Sequence, residues 1–258
     1  MAESDERAHK ASNLTRRRLF KVAGAAVAGA AVNVVLTPQT SAAAASGAGA
    51  AKPRAKMPRR FLRSDEAIFI SAATARLIPG DERSPGAREA DVTNFIDQAL
   101  SGPWGKGERM YTSGPWKTGT LQQGYQFKFT PAELYRTALT AILRERENAK
   151  TPFAQMSAAD QDAYLQKLEN GKFDLDGVPS DVFFDLLLQN TIEGFLSDPI
   201  YGGNRDMVGW KEIGFPGAFA SWYDLADKHG INLDQRAANP LSIADAAAHG
   251  QHSGGKPE

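Results

Sequence analysis

The 258-residue sequence contains no cysteine. That excludes disulfides, thiolate metal sites, iron–sulfur clusters and haem attached covalently through this chain. Histidine is almost as scarce. Of the four, His9 lies near the start, His249 and His252 lie near the end, and only His229 falls inside the expected fold. A His-based triad or His-rich metal site therefore lacks its residues, and His229, followed by glycine, reads as compensation for a helix C-terminus. No Gly-x-Gly-x-x-Gly opens a helix and no P-loop occurs, so neither a dinucleotide nor a nucleotide has a phosphate cradle.

A net charge of zero hides a gradient. Residues 52–63, "KPRAKMPRRFLR", carry six basic residues and no acid, whereas residues 64–258 carry 18 basic against 27 acidic residues. An acidic body does not suit nucleic acid, which needs a basic face on the fold itself. The basic stretch reads as a solvated linker, with contact to an anionic lipid surface as the other reading.

The first 51 residues read as an address. "TRRRLFK" (15–21), with Arg16 and Arg17, resembles the twin-arginine export signal with its Leu and Phe exchanged. An uncharged, Ala- and Gly-rich core of 15 residues follows (22–36), then Pro38 and the small-residue run "SAAAA" (41–45). Such a core is too short and weakly apolar to span about 30 Å of hydrocarbon comfortably. The expected layout is a signal over 1–45, a flexible basic linker over 46–63, one helical domain over 64–243 and a disordered tail over 244–258. The expected location is the periplasm, with membrane association through a complex or through an uncleaved signal.

The fold class expected for the body is all-α, an irregular array of about five to six helices with little or no strand. Ser64 caps a helix over 64–78, and a second covers 87–100. Thr130, Pro131 and Glu133 open a helix over 130–149; Ser157 and Gly171 bracket another over 157–171. Residues 180–196, "SDVFFDLLLQNTIEGFL", are apolar nearly all round and predict the central buried helix. A last helix is expected over 216–229, and a short extended piece at 124–129. The "FDLDGVPSD" stretch (173–181) reads as a turn and cap, since it lacks the full acid set of a calcium loop.

Two segments break the helical pattern. Residues 102–129 hold six glycines, two prolines, two Trp and two Tyr; residues 199–217, "PIYGGNRDMVGWKEIGFPG", hold five glycines and two prolines. Both are expected to be long loops rich in residue types that dominate protein interfaces. Glu193, Asp198 and Asp206 cluster in sequence. They keep open a free-standing exported carbohydrate-active enzyme, or a sugar-binding protein using the carboxylates and aromatics of 193–217.

The stretch "DPIYGGNRDMVGWKEIGFPGA" (198–218) resembles the signature of the gluconate 2-dehydrogenase subunit 3 family. So do "RLIPGDERSPGAREADVTNFIDQAL" (76–100), the "YTSGPW…GYQFKFTPAELYR" block (111–136) and the helix before the signature. The matching signature positions are Tyr201, Gly202, Gly203, Asn204, Arg205, Asp206, Gly209, Trp210, Gly214, Phe215, Pro216 and Gly217. The resemblance implies a small, gamma subunit with no catalytic residues, cofactor or metal of its own. It implies FAD in a partner dehydrogenase large subunit of the glucose–methanol–choline oxidoreductase class, and haem c in a multihaem cytochrome c subunit. The small subunit would be recognised by the twin-arginine translocation machinery and act as export escort and assembly partner. Within the signature, Gly202 and Gly203 are expected to permit close approach. Arg205 and Asp206 would pair with each other or across an interface, and Trp210 and Phe215 would anchor the loop.

Overall fold

Several helix boundaries in this protein follow its capping chemistry. The computed structural model describes residues 58–81, 84–111, 113–117, 127–218, 227–230 and 239–245. In chain order its α-helices are α1 (Ser64–Leu77), α2 (Val92–Ser101), α3 (Pro131–Asn148), α4 (Ala158–Glu169), α5 (Ser180–Leu196) and α6 (Val208–Ile213). Residues 243–245 are helical too, and 3-10 turns occupy Phe153–Gln155, Pro199–Tyr201 and Arg205–Met207. The fold is all-α, as expected.

At the start of α3, Glu133 N–H donates to the Thr130 hydroxyl at 3.3 Å, and Thr130 N–H donates to the Glu133 carboxylate at 2.8 Å. This reciprocal box satisfies two donors that the first helical turn leaves free. Ser157 accepts the Asp160 N–H at 3.2 Å to open α4, and Gly171, with φ 64°, turns the chain away after it. At α1 the expected Ser64 cap is displaced by one residue. The Glu66 carboxylate takes the Arg63 N–H at 2.7 Å, so Arg63 is the cap and Ser64 is already helical. α2 begins at Val92 rather than 87, because residues 87–91 form turns ending in left-handed backbone at Asp91 (φ 56°).

The expected central helix is α5. It packs against α1, α2, α3, α4 and α6. Phe183, Leu187, Asn190 and Thr191 are buried along one face of it with Phe184 and Phe195 beside them, Val182, Leu186 and Leu188 are half-buried, and Asp181, Asp185, Gln189 and Glu193 form its exposed line. Its one buried amide is satisfied: Tyr135 of α3, itself inaccessible, donates its hydroxyl to Asn190 Oδ1 at 2.8 Å. Burial, and then the Glu193 carboxylate, push the Tyr135 hydroxyl well above the usual phenol range.

A two-residue antiparallel hairpin lies between α4 and α5: β1 (Asp174–Leu175) pairs with β2 (Val178–Pro179). Its Asp176-Gly177 turn has φ 57° and 88°, as a two-residue hairpin turn requires. The Asp174 carboxylate accepts the Gly177 N–H at 2.7 Å, so the acids of 173–181 serve a turn. Residues 127–129 are not a strand. The rest of the extended piece expected at 124–129 lies outside the described residues. So do Arg16 and Arg17, most of the linker, most of the helix expected over 216–229 and most of the tail. Of that last helix, Gly217 instead has φ 89° and forms an isolated bridge with Leu241.

Packed structure starts before residue 64. The Asp97 carboxylate of α2, almost inaccessible, accepts three consecutive backbone N–H groups, from Arg60 (2.7 Å), Phe61 (3.0 Å) and Leu62 (2.7 Å). Arg136 of α3 donates to the Phe61 carbonyl at 2.7 Å, pairs with buried Glu66, and stacks its guanidinium 4.2 Å from the Phe61 ring centroid. The end of the basic stretch is therefore a strap across α1, α2 and α3. Replacing Asp97 by Ala leaves three amides without their charged acceptor. It is expected to cost about 2–3 kcal/mol of stability in urea unfolding and to expose Arg60 and Arg63 to tryptic cleavage that wild type resists.

Candidate functional site

The last turn of any α-helix leaves carbonyl oxygens with no intrahelical donor. In α5 those carbonyls are met by the residues just beyond it. Asn204 N–H donates to Gly194 O at 2.8 Å; Asn204 Nδ2 donates to Ser197 O at 2.8 Å; Trp210 Nε1 donates to Leu196 O at 2.7 Å. The third polar group of Asn204, Oδ1, accepts the Gly209 N–H at 2.8 Å at the start of α6. Asn204 is completely buried and holds left-handed backbone (φ 44°), which asparagine tolerates better than most residues.

The expected loop over 199–217 is thus two 3-10 turns and the short helix α6, folded back onto the end of α5. Two glycines make this approach possible. A Cβ on Gly203 would lie 2.2 Å from Gly194 O, and one on Gly209 would lie 2.0 Å from Phe195 O. Trp210 is buried and meets Phe215 edge-on, with centroids 5.1 Å apart and planes at 70°. Phe215 N–H closes on Trp210 O at 2.8 Å around Gly214, and Pro216, Gly217 and Ala218 pair with Leu241.

The same segment also grips α2. Asn94 and Gln98, four residues apart and so on one face, lie under Gly202. Asn94 Nδ2 donates to Gly202 O at 2.8 Å. Arg205 N–H donates to Ala90 O at 3.0 Å, which brings its guanidinium to Asp91 at the head of α2. The expected Arg205–Asp206 pairing gives way to Arg205–Asp91. Asp206 is exposed with φ 55°. Asp91, Asn94 and Gln98 carried no sequence signal for this role; only their spacing along α2 could have hinted at a shared face.

Two of the three carboxylates that kept an enzyme reading open have structural partners, and the third, Asp206, is exposed. Asp198 is buried, and its two oxygens accept Ile200 N–H (2.9 Å) and Ile243 N–H (2.7 Å). Glu193 accepts from Gln189 (2.8 Å) and Asn190 (3.2 Å) on its own helix. His229 is exposed. Among the described residues no three His, Asp or Glu side chains gather as a metal site, and no helix is long and apolar enough to cross a membrane.

What the signature leaves outside is apolar. Ile200 is 52% exposed and Tyr201 57%, both on the 3-10 turn capped by Asp198. They form one wall of a groove of about 820 Å³ whose other wall is the segment after α2, with Trp104, Arg109 and Met110. The two Gly/aromatic segments therefore meet in space. The wall at 102–110 is wound in successive turns, including Gly107 N–H to Trp104 O (3.0 Å) and Met110 N–H to Gly107 O (2.9 Å). Ala132 N–H, donating to Gly105 O at 3.0 Å, fastens it to α3.

A family model described as gluconate 2-dehydrogenase subunit 3 matches residues 64–217, from the first residue of α1 to the glycine that pairs with Leu241. The chain belongs to the gluconate 2-dehydrogenase subunit 3 family. Members of this family are subunits of dehydrogenase complexes. No curated protein and no solved structure matches the chain. In this subunit 3 protein, the matched region contains the whole α5 cap and both walls of the groove.

Stability should rank substitutions in the cap by contact. Gly203→Ala and Gly209→Ala, each driving a methyl into backbone, are expected to cost about 2–3 kcal/mol. Asn204→Ala should cost a similar amount, about 2–3 kcal/mol, by stranding the Gly209 amide and Ser197 carbonyl. Gly214→Ala, where a Cβ meets nothing within 4 Å and only the φ of 69° is unfavourable, should cost about 1 kcal/mol. Urea unfolding of the four variants checks the order.

Proposed function

We propose that this chain is the non-catalytic small subunit of an exported, flavin-dependent sugar or sugar-acid dehydrogenase, and that it escorts and stabilises the flavoprotein large subunit. The observation that carries this reading is the subunit 3 match over residues 64–217. It is supported by where the signature spends its polar groups. Asn204, Arg205 and Trp210 are engaged in holding α5 and α2, and Asp198 and Glu193 are committed to local hydrogen bonds. The alternative of a free-standing carbohydrate-active enzyme would have to work from exposed Asp206 alone, or with Glu193 or Asp198 released from its partners.

In this proposal FAD resides in the large subunit and haem c in a cytochrome subunit that takes its electrons. This chain supplies the address: Arg16 and Arg17 direct it to twin-arginine export, a route that carries folded cargo. A flavoprotein lacking its own signal then crosses bound to this domain, and the complex works in the periplasm. One signal thereby serves two chains, and the escort must recognise its partner in the folded state.

The test is co-expression of the intact chain with a signal-less flavoprotein of the glucose–methanol–choline class from the same organism. Both proteins should reach the periplasmic fraction together. Changing Arg16 and Arg17 to Lys should leave both in the cytoplasm, with the complex still formed and its flavin still bound. Normal export of the flavoprotein without this chain would overturn the escort role.

A further inference from the structure

We propose that the cleft between Arg59, Arg88 and Arg205 binds a phosphate group, free or carried on a phospholipid head. The inference does not depend on the subunit reading above.

Three separate parts of the chain bring arginine to this cleft of about 600 Å³. Arg59 lies on the strap, Arg88 in the turns before α2, and Arg205 in the signature. Each is carried on fixed backbone. The amides of Arg60, Phe61 and Leu62, just after Arg59, are held by Asp97. Arg88 O accepts the Asp91 N–H at 3.1 Å, and Arg205 N–H donates to Ala90 O at 3.0 Å. Ser71 of α1 and Thr93 of α2 also line the cleft and bring hydroxyl donors to it.

The charges that line the cleft do not cancel. Among the described residues Asp91 is the one acid that lines it, and Asp91 is paired with Arg205. The nearby Glu89 and Asp206 do not line it, and Glu89 accepts the Gly86 N–H at 2.8 Å. Arg59 and Arg88 are exposed and make no ion pair among the described residues. Two guanidinium groups are thus left over, on a body in which acids outnumber bases.

These donors fit a phosphate group better than an acidic protein segment. A phosphate monoester carries a charge of about −1.5 to −2 near neutral pH and offers three acceptor oxygens. Two planar guanidinium forks and the hydroxyls can meet it from several sides, whereas one fork fills a carboxylate. A protein segment would also need an apolar pocket for an anchoring side chain. Pro58 and the buried Ala67 are all that this cleft offers. A phospholipid head carries less charge, but many stand side by side in a membrane. In sequence, Lys52, Arg54 and Lys56 precede Arg59 with no acid among them, which adds charge for such a surface.

The experiment titrates the intact chain with inorganic phosphate at constant ionic strength, read by calorimetry. Wild type should bind phosphate in preference to acetate. Arg59→Gln and Arg88→Gln should each weaken binding about tenfold, with urea unfolding unchanged because neither side chain holds the fold. Lys172→Gln, which removes an exposed charge that does not line the cleft, should bind like wild type. Vesicles separate the two sources. If lipid is the ligand, the chain sediments with phosphatidylglycerol vesicles but not with phosphatidylcholine vesicles, and the double variant Arg59→Gln, Arg88→Gln loses most of that sedimentation. If free phosphate is the ligand, the titration result holds while the double variant sediments like wild type. No phosphate binding by wild type, or equal binding by the folded double variant, would overturn the site. So would acetate or a glutamate-rich peptide that binds the cleft as tightly as phosphate, since carboxylates would then be its occupants.

Discussion

The carbonyl ends of α5 are the constraint on which this structure depends. A helix whose last turn holds buried Gly194 and Phe195 cannot leave its last carbonyls unpaired, since an unpaired buried polar group costs about 1–3 kcal/mol. Here the chain returns immediately after Ser197 and supplies the donors itself, two from Asn204 and one from the Trp210 indole. Gly203, Asn204, Gly209 and Trp210 of residues 199–217 are explained by that return. The left-handed residues reverse the chain, and glycine stands where backbone meets backbone. The tryptophan is there as a hydrogen-bond donor as much as an apolar body.

The cap organises what lies around it. By engaging Asn94, Ala90 and Asp91 it fixes α2 relative to α5, and α2 in turn presents Asp97 to the strap at 60–62. The Pro199–Tyr201 turn, held at its base by Asp198, places Ile200 and Tyr201 against the wound segment after α2. The exposed apolar face is thus a by-product of the same geometry that satisfies α5. A signature built this way serves stability and presentation with different residues of one segment.

Much of the helical frame was legible because its signals are local. Thr130 and Glu133, Ser157 and Gly171 act within a few residues of themselves, and the all-round apolar run at 180–196 announces burial directly. The strap was not legible. "PRRFLR" reads as a linker because its side chains are basic, yet the contact is made by its backbone amides, which every sequence carries alike. Helix α6 was missed for a related reason: it has six residues with only Gly209 and Trp210 buried, too little for a period to show. The Arg205–Asp91 pair joins residues 114 positions apart, so the neighbouring Asp206 was the partner that sequence alone offered.

What the sequence by itself determined is the class of molecule. It lacks cysteine, usable histidines and a phosphate cradle; it has an all-α body, a twin-arginine-like start and a recognisable signature. What only the tertiary structure decided is how that signature is divided. Asn204, Gly203, Gly209 and Trp210 face inward as the cap of α5, while Ile200 and Tyr201 face outward beside Trp104. Composition cannot separate these roles, because glycine, asparagine and aromatics suit a helix cap and a docking surface equally. The separation depends on which donors meet the α5 carbonyls, and that depends on the path of the chain after Ser197.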